Sequence, residues 1–200
     1  GVISGAEALV RWKKPDGTII YPDQFVPIIE RSGQIIQVDY FMYQQVFLFI
    51  NTRIAEGKKI VPISINVSRQ HFKKLDIINY VKSLQRVYNI PPEYVEFEIT
   101  ETVCMEDTAK AIKFIRTFHE MGFKVSMDDF GSGYSSLYLL SELPIDIIKM
   151  DKCFLQSENL KQKERVIISN IINMTHQLDI TTLCEGVETL QQSEFLKSVG

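Results

Sequence analysis

Residues 123–134 read F-K-V-S-M-D-D-F-G-S-G-Y. The run from Phe123 to Asp129 is short and carries Phe123, Val125 and Met127, which predicts a strand. It ends on two adjacent aspartates, Asp128 and Asp129, and passes into the loop Gly131-Ser132-Gly133. That loop is neither a Walker A sequence nor a dinucleotide fingerprint. Working outward, the same alternation repeats. Strands are expected at Glu7 to Trp12, Ile60 to Asn66, Tyr94 to Thr100, Asp146 to Asp151 and Thr181 to Glu185. Helices are expected at Pro22 to Arg31, Val38 to Glu56, Leu75 to Tyr88, Thr108 to Met121, Ser135 to Glu142, Leu160 to Leu178 and Leu190 to Ser198. Asp107 or Thr108 can cap one helix, and Thr189 with Gln192 has capping-box spacing. Repeated strand-then-helix order implies a mostly parallel sheet with crossover helices. An open doubly wound sheet and a closed β/α barrel both satisfy it.

Composition supports one globular domain. The chain has 200 residues, 45% hydrophobic and 24% charged, with a net charge of -3. That excludes a disordered chain. The 10 Gly and 7 Pro are too few for a collagen-like or low-complexity sequence. The most apolar stretch, Phe41 to Ile50, is short and broken by Gln44 and Gln45, so a spanning helix is not expected. No secretory signal is read at the start of the chain, where the abrupt opening leaves removal of one as the alternative. The 3 cysteines, Cys104, Cys153 and Cys184, lack metal-ligand spacing and fit reduced thiols in a cytosolic setting. Mild acidity argues against binding a nucleic-acid polymer.

The chemistry is concentrated at strand ends, where parallel α/β folds carry their sites. Glu7, Asn66, Glu98, Glu101, Asp128, Asp129, Lys149, Asp151, Glu185 and Glu188 all fall at or beside such ends. Residues two apart on a strand share a face, which groups Glu7, Leu9 and Arg11, and Lys149 with Asp151. If those faces line a barrel mouth, Glu7, Asn66, Glu98, Asp128 and Glu185 converge. Several confined carboxylates then require cations. An all-oxygen set selects Mg2+ or Mn2+ over zinc. Asp128 and Asp129 can serve two ions if the backbone turns there, and two-metal sites suit in-line attack on phosphate esters. Lys149, between Ile148 and Met150, needs a carboxylate partner. A lone acidic residue at a strand end is ordinarily a solvated loop residue; six matching ends make that reading poor. The histidines, with His71 in a polar loop and His119 and His176 in helices, fit surface or structural roles. No G-x-S-x-G occurs, and Cys184 lacks a histidine to activate it.

The motifs E-A-L-V-R-W, S-I-N-V-S-R, E-I-T-E-T, D-D-F-G-S-G-Y-S-S-L, K-M-D and E-G-V-E-T occur in this order. Together they resemble the EAL family of cyclic di-GMP phosphodiesterases, from Gly5 to about Gly200. The resemblance implies a TIM-type (β/α) barrel with one antiparallel strand. It implies hydrolysis of cyclic di-GMP to linear pGpG. Glu7, Asn66, Glu98 and Asp128 look like metal ligands, and Asp129 like a ligand of the second metal. Glu185 resembles the glutamate at the second metal and water, and Lys149 the lysine contacting the attacking water. Arg11 looks like a substrate-phosphate contact and Leu9 like a guanine contact. Glu101 looks like the anchor of the Asp129 to Ser136 loop, which couples the metals to dimerisation in the family, and Asp151 like a partner near the metals. The family has an earlier strand and a later one, so residues 1–200 are expected to be an EAL-like domain lacking the first and last strands. A homodimer, attached signalling domains and a cytoplasmic setting, free or beneath a membrane anchor, are further expectations. The alternative reading is a weak or inactive module that serves as a cyclic di-GMP receptor or a dimerisation domain.

Overall fold

The structure is a computed structural model and describes residues 1–74, 76–132, 137–156 and 160–200. In chain order the elements are β1 (Ala6–Ala8), β2 (Trp12–Lys13), β3 (Ile19–Ile20), α1 (Pro22–Arg31), α2 (Ile35–Ala55), β4 (Ile63–Asn66), α3 (His71–Lys74) and α4 (Ile77–Tyr88). Then come β5 (Val95–Thr100), α5 (Glu101–Glu106), α6 (Thr108–Glu120), β6 (Lys124–Phe130), α7 (Leu137–Glu142), β7 (Ile147–Met150), α8 (Gln162–Gln177), β8 (Thr181–Cys184) and α9 (Leu190–Val199). The expected helix starts at Leu75 and Ser135 lie outside the described residues.

The chain forms two compact units. The first comprises Gly1–Glu98 with Thr117–Lys124, and the second Ile99–Arg116 with Val125–Gly200. In the first, the strand order is β1-β4-β5 and both pairings are parallel. Its core is aromatic. Tyr43, Phe47, Phe97, Phe118 and Phe123 are each 2% exposed or less, and Phe97 meets Phe118 edge-on with ring centroids 4.5 Å apart. Burying each such ring contributes roughly 1.5–3 kcal/mol. Helix α2 supplies Tyr43, Phe47 and Ile50 from one face, at the spacing that brings helix positions into line.

The second unit orders β6-β7-β8, again parallel. Val125, Met127, Ile148 and Met150 are buried there with Phe114 and Ile115 of α6. Strand β6 carries a register shift between Met127 and Phe130. Among the described residues no helix is long and apolar enough to cross a membrane.

Several expected bounds shift. The strand read as Glu7 to Trp12 stops at Ala8, and Trp12–Lys13 instead pairs antiparallel with Ile19–Ile20. The turn Pro15-Asp16-Gly17 imposes this: Gly17 has φ +89°, Lys14 N donates to Thr18 O, and Asp16 accepts from Thr18 N. The alternation that set Leu9 and Arg11 beside Glu7 on one strand therefore does not hold. Asp107, rather than Thr108, caps α6 by accepting from Lys110 N at 3.0 Å.

Candidate active site

In the first unit, β1 and β4 bring two of the expected site residues into contact. Asn66 Nδ2 donates to Glu7 Oε1 at 2.9 Å. Both residues are exposed, since each lies at or near the C-terminal end of its strand. Glu98 is paired in register with Asn66 and is only 1% exposed. Val67 N donates to Glu98 O at 2.8 Å, continuing the ladder one residue past Asn66. Leu9 and Arg11 follow β1 on exposed, non-strand backbone. The Arg11 guanidinium donates to Val10 O and lies 5.3 Å from the centre of the Tyr21 ring.

The second unit gathers the rest around Lys149. This lysine sits on β7 and is 5% exposed. Its ammonium lies 2.8 Å from Glu185 Oε1 and 3.4 Å from Asp128 Oδ1. Glu185 follows β8, and its amide bonds Met150 O at 3.0 Å. A buried lysine of this kind is stable only with such charge partners.

The backbone does turn at the paired aspartates. Asp129 has φ +56°, and its amide donates to Asp128 Oδ1 at 2.9 Å. The turn coincides with the register shift in β6, so adjacent aspartates do not simply point to opposite faces. The Asp129 carboxyl is raised above its ordinary range. Loss of water is the largest cause, followed by the charges of Asp128, Asp151 and Glu185, with Lys149 opposing. Asp129 remains an exposed residue, so solvent screens part of these fields. Asp151 is held low, chiefly by the amide of Cys153, which donates to its Oδ1 at 2.8 Å.

The loop after β6 is fixed at its base. Glu101 is the first residue of α5, not the end of a strand, and its Oε2 accepts from Gly131 N at 3.1 Å. Gly131 has φ +94°, and a Cβ there would come within 2.0 Å of the Phe154 ring, so only glycine fits. Residues 133–136 of the expected loop lie outside the described residues.

The donor chemistry fits a hard cation. Asp128, Asp129, Asp151 and Glu185 share one electrostatic neighbourhood whose positive charge comes from Lys149 and, acting on Asp151, Lys152. Negative charge is in excess and every acidic donor is an oxygen. Among the described residues, however, no three His, Cys, Asp or Glu side chains stand close enough together to hold a metal ion. Asp128 and Glu185 are turned onto the Lys149 ammonium, and Asp151 onto the Cys153 amide. A cation would have to compete for those oxygens.

Two polar groups are buried and make contacts beyond the structural and capping roles expected of them. His71, read as a loop residue, begins α3, is 1% exposed, and has Nε2 3.0 Å from Asp39 Oδ2. The sequence signal was Asp39 itself, an acid on the apolar face of α2 in line with Tyr43 and Phe47. Gln192 is the capping partner that its spacing from Thr189 implies. It is also 2% exposed, and its Nε2 donates to Leu155 O at 3.0 Å.

Comparison with known proteins gives these residues a context. A family model described as the EAL domain matches residues 1–200. The signaling protein YkoW of Bacillus subtilis is 34% identical over 199 residues, covering 99% of this chain and 25% of that protein. MucR of Pseudomonas aeruginosa, a bifunctional diguanylate cyclase/cyclic di-GMP phosphodiesterase, is 30% identical over 100% of this chain and 29% of its own length. The chain thus spans between a quarter and a third of these two relatives. A solved structure of the PaMucR phosphodiesterase in complex with c-di-GMP superposes with a TM-score of 0.91 at 30% identity, covering 100% of this chain and 81% of that one. Strand order, parallel pairing and the motifs at the strand ends have a common origin: the chain belongs to the EAL domain family.

Proposed function

We propose that this EAL domain hydrolyses one phosphodiester bond of cyclic di-GMP to give linear pGpG, with Mg2+ or Mn2+ as cofactor. The observation that carries the reading is Lys149, a buried ammonium between the carboxylates of Asp128 and Glu185 at the ends of successive parallel strands. In the second unit Asp128, Asp129 and Glu185 would hold the cation. In the first, Glu7, Asn66 and Glu98 are the proposed oxygen donors. When bound, such ions supply Lewis-acid polarisation of the phosphoryl oxygens and ease ionisation of the attacking water.

The chain's own residues supply the rest. Glu185 accepts from the Lys149 ammonium and fixes its direction. That ammonium is thereby placed to donate to the attacking water and to offset charge developing on phosphorus-bound oxygens. Exclusion of solvent from Lys149 strengthens this interaction relative to bulk water. Arg11 presents a guanidinium suited to a substrate phosphate, and Leu9 an exposed apolar surface suited to a guanine. Asp151 and Glu101 act indirectly, Asp151 by capping the turn after β7 and Glu101 by anchoring the loop after β6.

The test is to incubate the protein with cyclic di-GMP and Mn2+ or Mg2+ and follow pGpG by chromatography. Turnover that falls by about 10²–10³ in Lys149→Ala is expected, the size of loss seen when one charge-stabilising donor is removed. Measurable nucleotide binding with no turnover by the parent protein would instead make the domain a receptor.

A further inference from the structure

The Asp39–His71 pair has no part in the proposed chemistry, yet both of its members are buried in the first unit. Asp39 is 8% exposed and His71 1%. Burying two polar or charged groups together is commonly no better for stability than packing apolar side chains of the same volume. A pair of this kind is therefore informative about what it holds in place.

What it holds is the segment that leaves β4. Asp39 Oδ2 lies 3.0 Å from His71 Nε2 and also accepts from Ser68 N at 3.3 Å. One turn along α2, Tyr43 donates from its hydroxyl to Asn66 O at 3.3 Å. Tyr43 is fully buried and packs on His71, with ring centroids 6.1 Å apart. A single face of α2 thus ties residues 66, 68 and 71 to one rigid support. Asn66 needs that support, because it is exposed and ends its strand, and its amide nitrogen already donates to Glu7 Oε1. Burial raises the Asp39 carboxyl, while its bonds to His71 and Ser68 oppose the shift, so the contacts act on the ionised form.

We propose that Asp39, His71 and Tyr43 form a positioning unit that fixes Asn66 and, through it, the Glu7–Asn66 donor pair for a divalent cation. This rests on the reading of Asn66 as a cation ligand. Partners that orient ligands from behind typically change metal affinity by about 10–100-fold when removed. The unit acts on where the ligand sits, so its loss should appear in cation affinity before it appears in nucleotide affinity.

The experiment titrates Mn2+ alone into the 200-residue protein without nucleotide, following free Mn2+ by its EPR signal. The variants are Asp39→Asn, Tyr43→Phe and, as reference, Asn66→Ala. Melting temperatures establish that each variant is folded, and pGpG formation gives KM for cyclic di-GMP. Asp39→Asn is expected to raise the Mn2+ half-saturation about tenfold and Tyr43→Phe to raise it severalfold, with KM for cyclic di-GMP unchanged. If Asp39→Asn fails to fold, Tyr43→Phe decides, since it removes only one hydroxyl. A purely structural role would lower the melting temperature and leave Mn2+ half-saturation where it was. That result, with Asn66→Ala still weakening Mn2+ binding, overturns the positioning role and spares the ligand reading. Unchanged Mn2+ binding in Asn66→Ala overturns the ligand reading and the positioning role with it.

Discussion

Asp129 carries two unfavourable energies at once. Its backbone lies at φ +56°, a region that costs a residue other than glycine about 1–3 kcal/mol. Its carboxyl stands near Asp128, Asp151 and Glu185, and with partial loss of water this raises its pKa from 3.8. A carboxyl whose folded pKa exceeds its unfolded value binds protons more tightly when folded. Its ionisation therefore removes stability as pH rises from the unfolded value through the raised one. With chelator present, Asp129→Asn should melt at a higher temperature than the parent at pH 7. The pH-dependent part of that advantage should vanish as pH falls toward 3.8, the ordinary carboxylate value. Thermal melts at several pH values check it, and an advantage that grows on acidification would show the charge argument to be wrong. A residue kept in so costly a state fits a role in the chemistry of the site.

At the scale of elements, the junction of β8 and α9 depends on Gln192. Its Oε1 accepts from the amides of Glu188 and Thr189, its own amide bonds Thr189 Oγ1, and its Nε2 reaches Leu155 O. One buried amide thus holds the segment after Glu185 to the turn after β7. Gln192→Leu should destabilise the protein by about 1–3 kcal/mol, the cost of leaving buried partners unsatisfied. Chemical denaturation measures this; a change below 0.5 kcal/mol, the scatter of ordinary surface substitutions, would contradict it. The capping box was legible because Thr189 and Gln192 have its spacing. The link to Leu155 was not, because it joins residues 37 positions apart. The strand-end acids were legible for a similar reason: a strand's exit is marked locally by the loop that follows. The hairpin of β2 and β3 is announced by Pro15-Asp16-Gly17, yet the apolar residues Leu9, Val10 and Trp12 read as a continuation of β1. Asp39 on the apolar face of α2 announces a buried partner, but that the partner is His71 depends on packing between α2 and α3, which no local pattern encodes.

For the whole molecule, the chain passes between its two compact units inside β5, at Glu98 and Ile99, inside α6, at Arg116 and Thr117, and at the start of β6, at Lys124 and Val125. All three crossings lie within continuous elements, so no linker or change of composition marks them in the sequence. The proposed cation has a consequence at this scale. A ligand that binds only the folded state stabilises by about 2.7 kcal/mol at a hundred times its Kd. In a protein of this size each kcal/mol raises Tm by about 2–4 °C. Saturating Mn2+ or Mg2+ should therefore raise Tm by several degrees, and EDTA should reverse it. Sodium chloride at matched ionic strength should not reproduce the shift; if it does, general screening of acidic charge is sufficient.

The burial of Lys149 has a further consequence for anyone handling the protein. A side chain 5% exposed and paired on two sides is out of reach of reagents that modify surface amines, whereas Lys58, beside Glu56, is open to solvent. Amine-directed labels, crosslinkers and resin attachment should consequently spare Lys149 while coating the surface, so the protein can be immobilised through its exposed lysines and still present Lys149 unmodified.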